Sequence, residues 1–478
     1  MTRSFLVQPL VRWCLPLALF ASPAAAQWSE GNLSQARFYL AATSVGSKAL
    51  FAGGWDAVTE FDSVDIYDGT TGTWSTASLS EPRTGLSATS VGTKAIFAGG
   101  RFFNDSIDIY DDATGNWSTS TLSIGREFPA ATSAGSKAFF AGGGNPILLS
   151  GVVDIYDDAT GQWSTDALST PRLGISAVSV GAKALFAGGW NEGGSAVVDV
   201  FDTETSVWST ESLSQPRYLM ASTSLGELAF FAGGLLNGAA VDTVDIYDAS
   251  TNTWSVAHLS QARYSFTATT AGTKVIFAGG FLPPATSSDV VDIFDTATGQ
   301  WSTTNLAHPR CNFASTTVGD EAFFAGGCVN GITPSSAVEI YDDSQAGVGV
   351  SYCSSGANST GRAAQITAAG SNSVAMNNVE LVAGPVPNSV GIFFYSASQS
   401  ETPFANGIRC VTGRTVRLPA HSITGETLRH QLDLNQPTSM ANPILAGTTL
   451  NFQAWFRDNA AGGARSDLSN GLEIVFLP

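Results

Sequence analysis

"KALFAGGW", residues 48–55, runs four apolar side chains into a glycine pair and then a tryptophan. A strand buried on both faces reads as such an unbroken apolar run. A glycine pair ends one where the backbone needs positive φ, or where a neighbour packs closer than a side chain allows. The stretch returns as KAIFAGG ending at Gly100, KAFFAGG at Gly143, KALFAGG at Gly189, LAFFAGG at Gly234, KVIFAGG at Gly280 and EAFFAGG at Gly327. Repetition of this kind belongs to architecture, because a catalytic site is not built seven times. The group expected against each glycine pair is the flat ring of a tryptophan from a fourth strand.

Tryptophan sets the period. Trp28, Trp74, Trp117, Trp163, Trp208, Trp254 and Trp301 recur every 43 to 47 residues, the spacing of propellers and solenoids. Nine residues after them come Arg37, Arg83, Arg126, Arg172, Arg217, Arg263 and Arg310, and nine before the last six come Asp65, Asp108, Asp154, Asp199, Asp245 and Asp292. One unit, residues 36–78, reads as four short strands: FYLAATSV, a Gly46-Ser47 hairpin turn, KALFAGG, then SVDIYD, a DGTTG turn and TWSTASL. Four antiparallel strands repeated radially make a propeller blade. In the seventh unit Gly347 stands where the next tryptophan would fall, so QWSEGNL at 27–33 is expected to supply the missing strand and close the ring. One arginine and one acid per unit suit a charge-assisted hydrogen bond that ties strands together, with Glu339 as the acid of the last unit.

A Pro-Arg pair, a strand ending in Gly-Gly, Asp-Ile-Tyr-Asp and then Trp together resemble the kelch repeat over residues 27 to about 343. Ala36, Gly125 and Ala262 replace the proline in three units, and Phe201 and Phe294 replace the tyrosine in two. The resemblance implies an all-β chain with a seven-bladed kelch-type β-propeller over residues 27–346. Beyond it, residues 347–478 hold short alternating strands such as GIFFYSAS, TVRLPAH and LNFQAWFRD, which fit a β-sandwich after the linker SQAGVGVS. This second unit is similar to uncharacterised modules at the C-termini of secreted bacterial proteins, a likeness that implies no activity. Arg457 and Asp458 there read as a surface pair at a strand end.

Residues 1–26 carry Arg3 and Arg12, an apolar stretch from Trp13 to Phe20 and small residues Ala24 and Ala26, the pattern of a cleaved secretory signal. No later run is long enough to insert in a membrane. The chain has 22 basic and 40 acidic residues, a net charge of −18, and loss of the leader makes it more acidic still. Such a surface repels phosphate backbones, so nucleic acid is not an expected partner. Cys14 leaves with the leader; the remaining Cys311, Cys328, Cys353 and Cys410 suit two disulfides in an oxidising compartment. Around the loop Gly319-Asp320, Cys311 and Cys328 stand directly opposite each other, which pairs them and leaves Cys353 for Cys410. Asn32, Asn104, Asn116 and Asn358 open Asn-x-Ser/Thr triplets, read as coincidence in a chain of bacterial type.

Chemistry is sparse. The propeller contains only His258 and His308, and no His-x-x-x-His, Cys/His cluster or Gly-x-Ser-x-Gly elbow occurs. No metal, cofactor or catalytic residue is therefore expected. The copies differ most after Gly-Gly and beside the repeated arginine, two places that share one ring face in an up-and-down blade. Trp55, Arg101, Phe102, Phe103, Trp190, Tyr218, Tyr264 and Phe281 gather there as candidate ligand-binding residues, since flat rings suit sugar faces and protein hot spots alike. The expected function is a secreted, non-catalytic protein binding an extracellular glycan or protein, of unspecified oligomeric state. The alternatives are a carbohydrate-active enzyme of the kelch epimerase or galactose-oxidase type, or a structural surface or matrix component.

Overall fold

The computed structural model describes residues 28–476 apart from 146, 285, 344–347, 371, 375–376, 424 and 435–443. The expected leader at 1–26, the first half of the linker and the proposed boundary at 346/347 lie outside the described residues. Among the described residues there is no α-helix, and no helix is long and apolar enough to cross a membrane.

Among the described residues of 28–342 there are seven four-stranded antiparallel sheets, with four two-stranded ribbons beside them. The first contains Ala41–Val45, Lys48–Ala52, Ser63–Asp68 and Thr73–Ser78, paired in that order. Val45 faces Lys48 across a two-residue turn in which Gly46 takes φ 57°, a conformation that costs glycine nothing. The second strand of every sheet is buried on both faces, whereas the first alternates and the fourth is mostly exposed. The first strands of successive sheets touch one another, and Ala314–Val318 of the last touches Ala41–Val45 of the first, so the series returns on itself. The last sheet takes its outer strand from the other end of the segment: Trp28–Asn32 pairs with Ala337–Asp342, Trp28 facing Tyr341.

The apolar core lies between sheets. Leu50, Ala52, Val64 and Ile66 of the first sheet pack on Ala95, Phe97 and Tyr110 of the second, and equivalent clusters fill every other junction. Each fully buried Leu, Ile or Phe contributes on the order of 1.5–3 kcal/mol. Each tryptophan leans on a strand of its own sheet: Trp74 lies opposite Tyr67, with ring centroids 5.3 Å apart, and 5.9 Å from Phe51.

The tryptophan is therefore not the neighbour of the glycine pair, contrary to expectation. A Cβ on Gly53 (φ 65°) would lie 2.6 Å from the carbonyl oxygen of Arg83 in the next sheet, the same oxygen that accepts a 3.0 Å hydrogen bond from Gly54 N–H. The corresponding carbonyl stops the first glycine of every other pair, ending with Arg37 O against Gly326. The glycines are the seats on which neighbouring sheets dock, and the docked group is backbone, which cannot yield.

The arginine whose carbonyl docks there is completely buried in all seven sheets. Arg37 Nη2 donates to Asp65 Oδ2 at 2.7 Å and to the Phe51 carbonyl at 3.0 Å, while Asp65 Oδ1 accepts Ser34 N–H at 3.0 Å. The clasp thus ties the incoming connection to the middle of the sheet. Arg83–Asp108, Arg126–Asp154, Arg172–Asp199, Arg217–Asp245, Arg263–Asp292 and Arg310–Glu339 repeat it. Glu339 holds the acid position, as the sequence pattern requires.

The remaining chain forms a sheet of six strands, with Val390–Ser396 and Thr449–Arg457 at its centre, and a sheet of three, Gln365–Ala369, Glu380–Gly384 and Leu428–Gln431. Phe393 and Tyr395 from the first share one apolar core with Ile366 and Leu381 from the second. A hairpin, Ser398–Phe404 with Gly407–Thr412, is tied to this body by the Cys353–Cys410 disulfide. Arg457 and Asp458 are not a surface pair. Asp458 is buried and accepts the N–H groups of Ser359 at 2.7 Å and Ala461 at 3.1 Å, so it fastens loops while Arg457 stays exposed.

Candidate binding face

Immediately after each arginine the chain meets the residue that follows the glycine pair of the same sheet. Phe38 and Trp55 exchange backbone hydrogen bonds of 3.0 and 2.9 Å, and Leu173–Trp190, Tyr218–Leu235, Tyr264–Phe281 and Cys311–Cys328 pair the same way. In the second and third sheets Arg101 N–H donates to Thr84 O and Gly144 N–H to Glu127 O, both at 2.8 Å. The two variable stretches therefore share a face and differ in every copy: Phe/Trp, Thr/Arg, Glu/Gly, Leu/Trp, Tyr/Leu, Tyr/Phe and Cys/Cys.

Several of the expected residues come together. The Arg101 guanidinium carbon lies 5.3 Å from the Trp55 ring and 4.9 Å from the Phe102 ring, within cation–π range. Phe102 and Phe103 both take positive φ and are 74% and 40% exposed. Tyr264 and Phe281 stack at 5.4 Å, and Phe281 packs with Cys311, Cys328, Phe38 and Trp55 into one patch. Trp190 and Tyr218 sit apart from that patch, half-buried over Leu173 and Leu235 respectively.

Cys311 and Cys328 face each other as the hairpin register requires, yet they are thiols, with sulfurs 3.0 Å apart. Their backbones exchange both hydrogen bonds, which makes this the wider of the two antiparallel spacings, and the sulfurs rest in hydrogen-bond contact. The expected pairing is thus present as geometry and absent as a bond. Hydrogen bonding from Cys328 pulls the Cys311 thiol down to about 7, while the same contact and burial push the Cys328 thiol up. The Cys353–Cys410 bond is formed, compatible with an oxidising compartment.

One residue further along lies a feature that composition alone did not reveal. Tyr39, Gly85, Phe128, Gly174, Leu219, Ser265 and Asn312 all have positive φ. Their backbones form a run of hydrogen bonds from Gly174 to Phe128, open between those two residues, at the end of the first strands: Gly85 N–H donates to Tyr39 O, Phe128 to Gly85, Leu219 to Gly174, Ser265 to Leu219, Asn312 to Ser265 and Tyr39 to Asn312, at 2.9–3.3 Å. Below it, Ser87, Ala130, Ser176, Ala221 and Thr267 help line a cavity of about 300 Å³. A Cβ on Gly85 would come within 2.8 Å of the Phe128 ring; its absence lets Phe128 reach Tyr39, centroids 5.6 Å apart. Tyr39 is 5.3 Å from Phe38, and Phe38 is 5.4 Å from Trp55. An aromatic tract thus runs from Phe128 to Trp55. Tyr39 and Phe128 were missed because the comparison stopped at the residue beside the arginine; the signal was a position two after it that reads Tyr, Gly, Phe, Gly, Leu, Ser and Asn.

Acids flank the tract. Burial raises the Glu60 carboxyl, the neighbouring charge of Glu127 adds to this and Arg101 opposes it. Phe102 N–H donates to Glu127 Oε1 at 3.1 Å. Among the described residues no cluster of three or more His, Cys, Asp or Glu has the arrangement of a metal site. His258 pairs with Asp242 at 3.2 Å in an exposed position.

Comparison with known proteins agrees with this architecture. A family profile described as the Kelch motif matches residues 262–304, one full repeat from the arginine through the glycine pair and the acid to the tryptophan. The motif and the all-β sheets together support a kelch-repeat β-propeller, a fold suggestive of protein interaction. No curated protein matches the chain.

Proposed function

We propose that the chain is an exported seven-bladed kelch-type β-propeller followed by a β-sandwich, and that the loop face of the propeller binds an extracellular glycan or protein without acting on it chemically. The observation that carries this reading is the set of rings Phe128, Tyr39, Trp55 and Phe102 with Arg101, joined underneath by the buried Phe38. Rigid rings present large contact area at small entropic cost, and such residues dominate binding hot spots. The seven residues of the positive-φ run favour contact over catalysis: of them only Tyr39 titrates.

The test is a glycan array and an extracellular-protein capture screen with the purified chain, repeated with Trp55→Ala and Phe128→Ala. Each variant is expected to weaken a captured ligand by roughly thirtyfold, the scale of a hot-spot residue worth about 2 kcal/mol. Unchanged binding in both, or turnover of a captured sugar in mutarotation or oxidation assays, overturns the reading.

A further inference from the structure

The hairpin of the C-terminal unit covers part of the outer face of the six-stranded sheet and leaves a cavity beneath it. Gln453, completely buried, pegs the two together: its Oε1 accepts Cys410 N–H at 2.9 Å, and its Nε2 donates to Ile408 O at 2.8 Å and Ser469 O at 2.7 Å. Beside this peg lies a space of about 430 Å³ walled by Phe394, Phe404, Trp455 and Leu468. Strand alternation puts Arg417, directly opposite Phe394, on the same face, and Arg409 enters from the hairpin. Arg409 is held by donation to Val411 O at 2.8 Å and Thr415 Oγ1 at 3.0 Å, with its guanidinium carbon 5.9 Å from the Phe404 ring.

The charge pattern singles this cavity out. In the same unit Arg362 pairs with Glu426 and Arg429 with Glu380, and every buried arginine of the propeller has its acid. Among the described residues, Arg409 and Arg417 form no ion pair, and none of the residues lining the cavity is acidic. Two guanidiniums thus line one apolar cavity without an acid, in a chain of net charge −18. The guanidinium fork matches a carboxylate, and the aromatic walls match a flat apolar body. We propose that this cavity binds a small organic carboxylate carrying a single ring or a body of similar size, with Arg417 and Arg409 on the carboxylate and Trp455 and Phe404 against the ring.

Calorimetric titration of the full chain with 3-phenylpropanoate, its primary amide 3-phenylpropanamide and galacturonate tests this. Saturable binding of phenylpropanoate is expected, at least tenfold weaker for the amide and for galacturonate. Arg417→Gln, at an exposed position, should lose at least tenfold for the acid while retaining the wild-type circular dichroism and melting temperature; Phe404→Ala, also exposed, should weaken the acid similarly. Equal binding of acid and amide, preference for galacturonate, unchanged binding in Arg417→Gln, or no saturable binding of phenylpropanoate overturns the assignment.

Discussion

Two rows of residues, one position apart, behave in opposite ways. Arg37 and its six counterparts are identical and completely buried, while the residues that follow them are Phe38, Thr84, Glu127, Leu173, Tyr218, Tyr264 and Cys311. The arginine has no freedom because its side chain must reach an acid in the middle of the sheet and its carbonyl must meet the next sheet's glycine pair. Its neighbour is held by a backbone pairing, which side chains as different as Phe38, Glu127 and Cys311 permit, whether buried as Phe38, Thr84 and Cys311 are or half-buried as the other four are. An invariant row and a variable row are thus separated by a single peptide bond, and uniformity among the copies marks the first as framework.

The sharpest way to break this contrast is at the clasp. Asp245→Ala leaves Arg217 buried and without its carboxylate, and should cost about 3–5 kcal/mol in denaturant unfolding; a loss below 1 kcal/mol would place the clasp among ornaments. Next in size, Gly99→Ala puts a Cβ 2.8 Å from Arg126 O at φ 73°, where strain and contact together should cost roughly 2–3 kcal/mol. The same substitution at Gly115, which has open space around it, should cost only the left-handed term of about 1–2 kcal/mol, so equal losses at the two sites would refute docking by the glycine pair.

Around the variable row, at the residues that pair with it or follow it, the expected effects are smaller and of another kind. Cys328→Ala removes the thiol that can donate to the Cys311 thiolate, so the Cys311 titration followed by thiolate ultraviolet absorbance should rise from about 7 toward the ordinary 9.0. The sign follows from the donor: it stabilises the anion, and its loss favours the protonated form. An unmoved midpoint would assign the depression to the other groups around Cys311. Smallest of all, Trp55→Ala and Phe128→Ala should each change stability by about 1 kcal/mol or less, as partly exposed positions do. A loss matching that of the clasp would show these rings to be framework.

Much of the ring was legible before any coordinates. Hairpin turns set the register of the inner strands, the shared spacing of Arg and Asp implied their meeting, and the missing tryptophan near Gly347 pointed to Trp28. What escaped is what one-dimensional spacing does not carry. The glycine pair contacts a carbonyl, and a backbone oxygen leaves no signature in composition. The run of backbone hydrogen bonds from Gly174 to Phe128 depends on φ, which Gly85 and Gly174 advertise but Tyr39 and Phe128 do not. Opposition of Cys311 and Cys328 followed from register, whereas bond formation depends on how the two side chains turn. In the C-terminal unit Asp458 looked exposed because its partners, the N–H groups of Ser359 and Ala461, are invisible to residue identity.

The outer strand Trp28–Asn32 also makes the fold depend on a distant contact. Ser336 Oγ donates to Asn32 Oδ1 across 304 residues of sequence, and among the described residues the strand's only sheet partner is Ala337–Asp342. Of the strands in the seven sheets this one comes earliest in the chain, and its mate comes after the strands of the other six sheets. Joining the two strands closes a loop of about three hundred residues, the kind of distant contact whose entropy is spent before it is rewarded. A chain cut before residue 337 lacks the strand on which Trp28–Asn32 lies, and so leaves that edge without its mate.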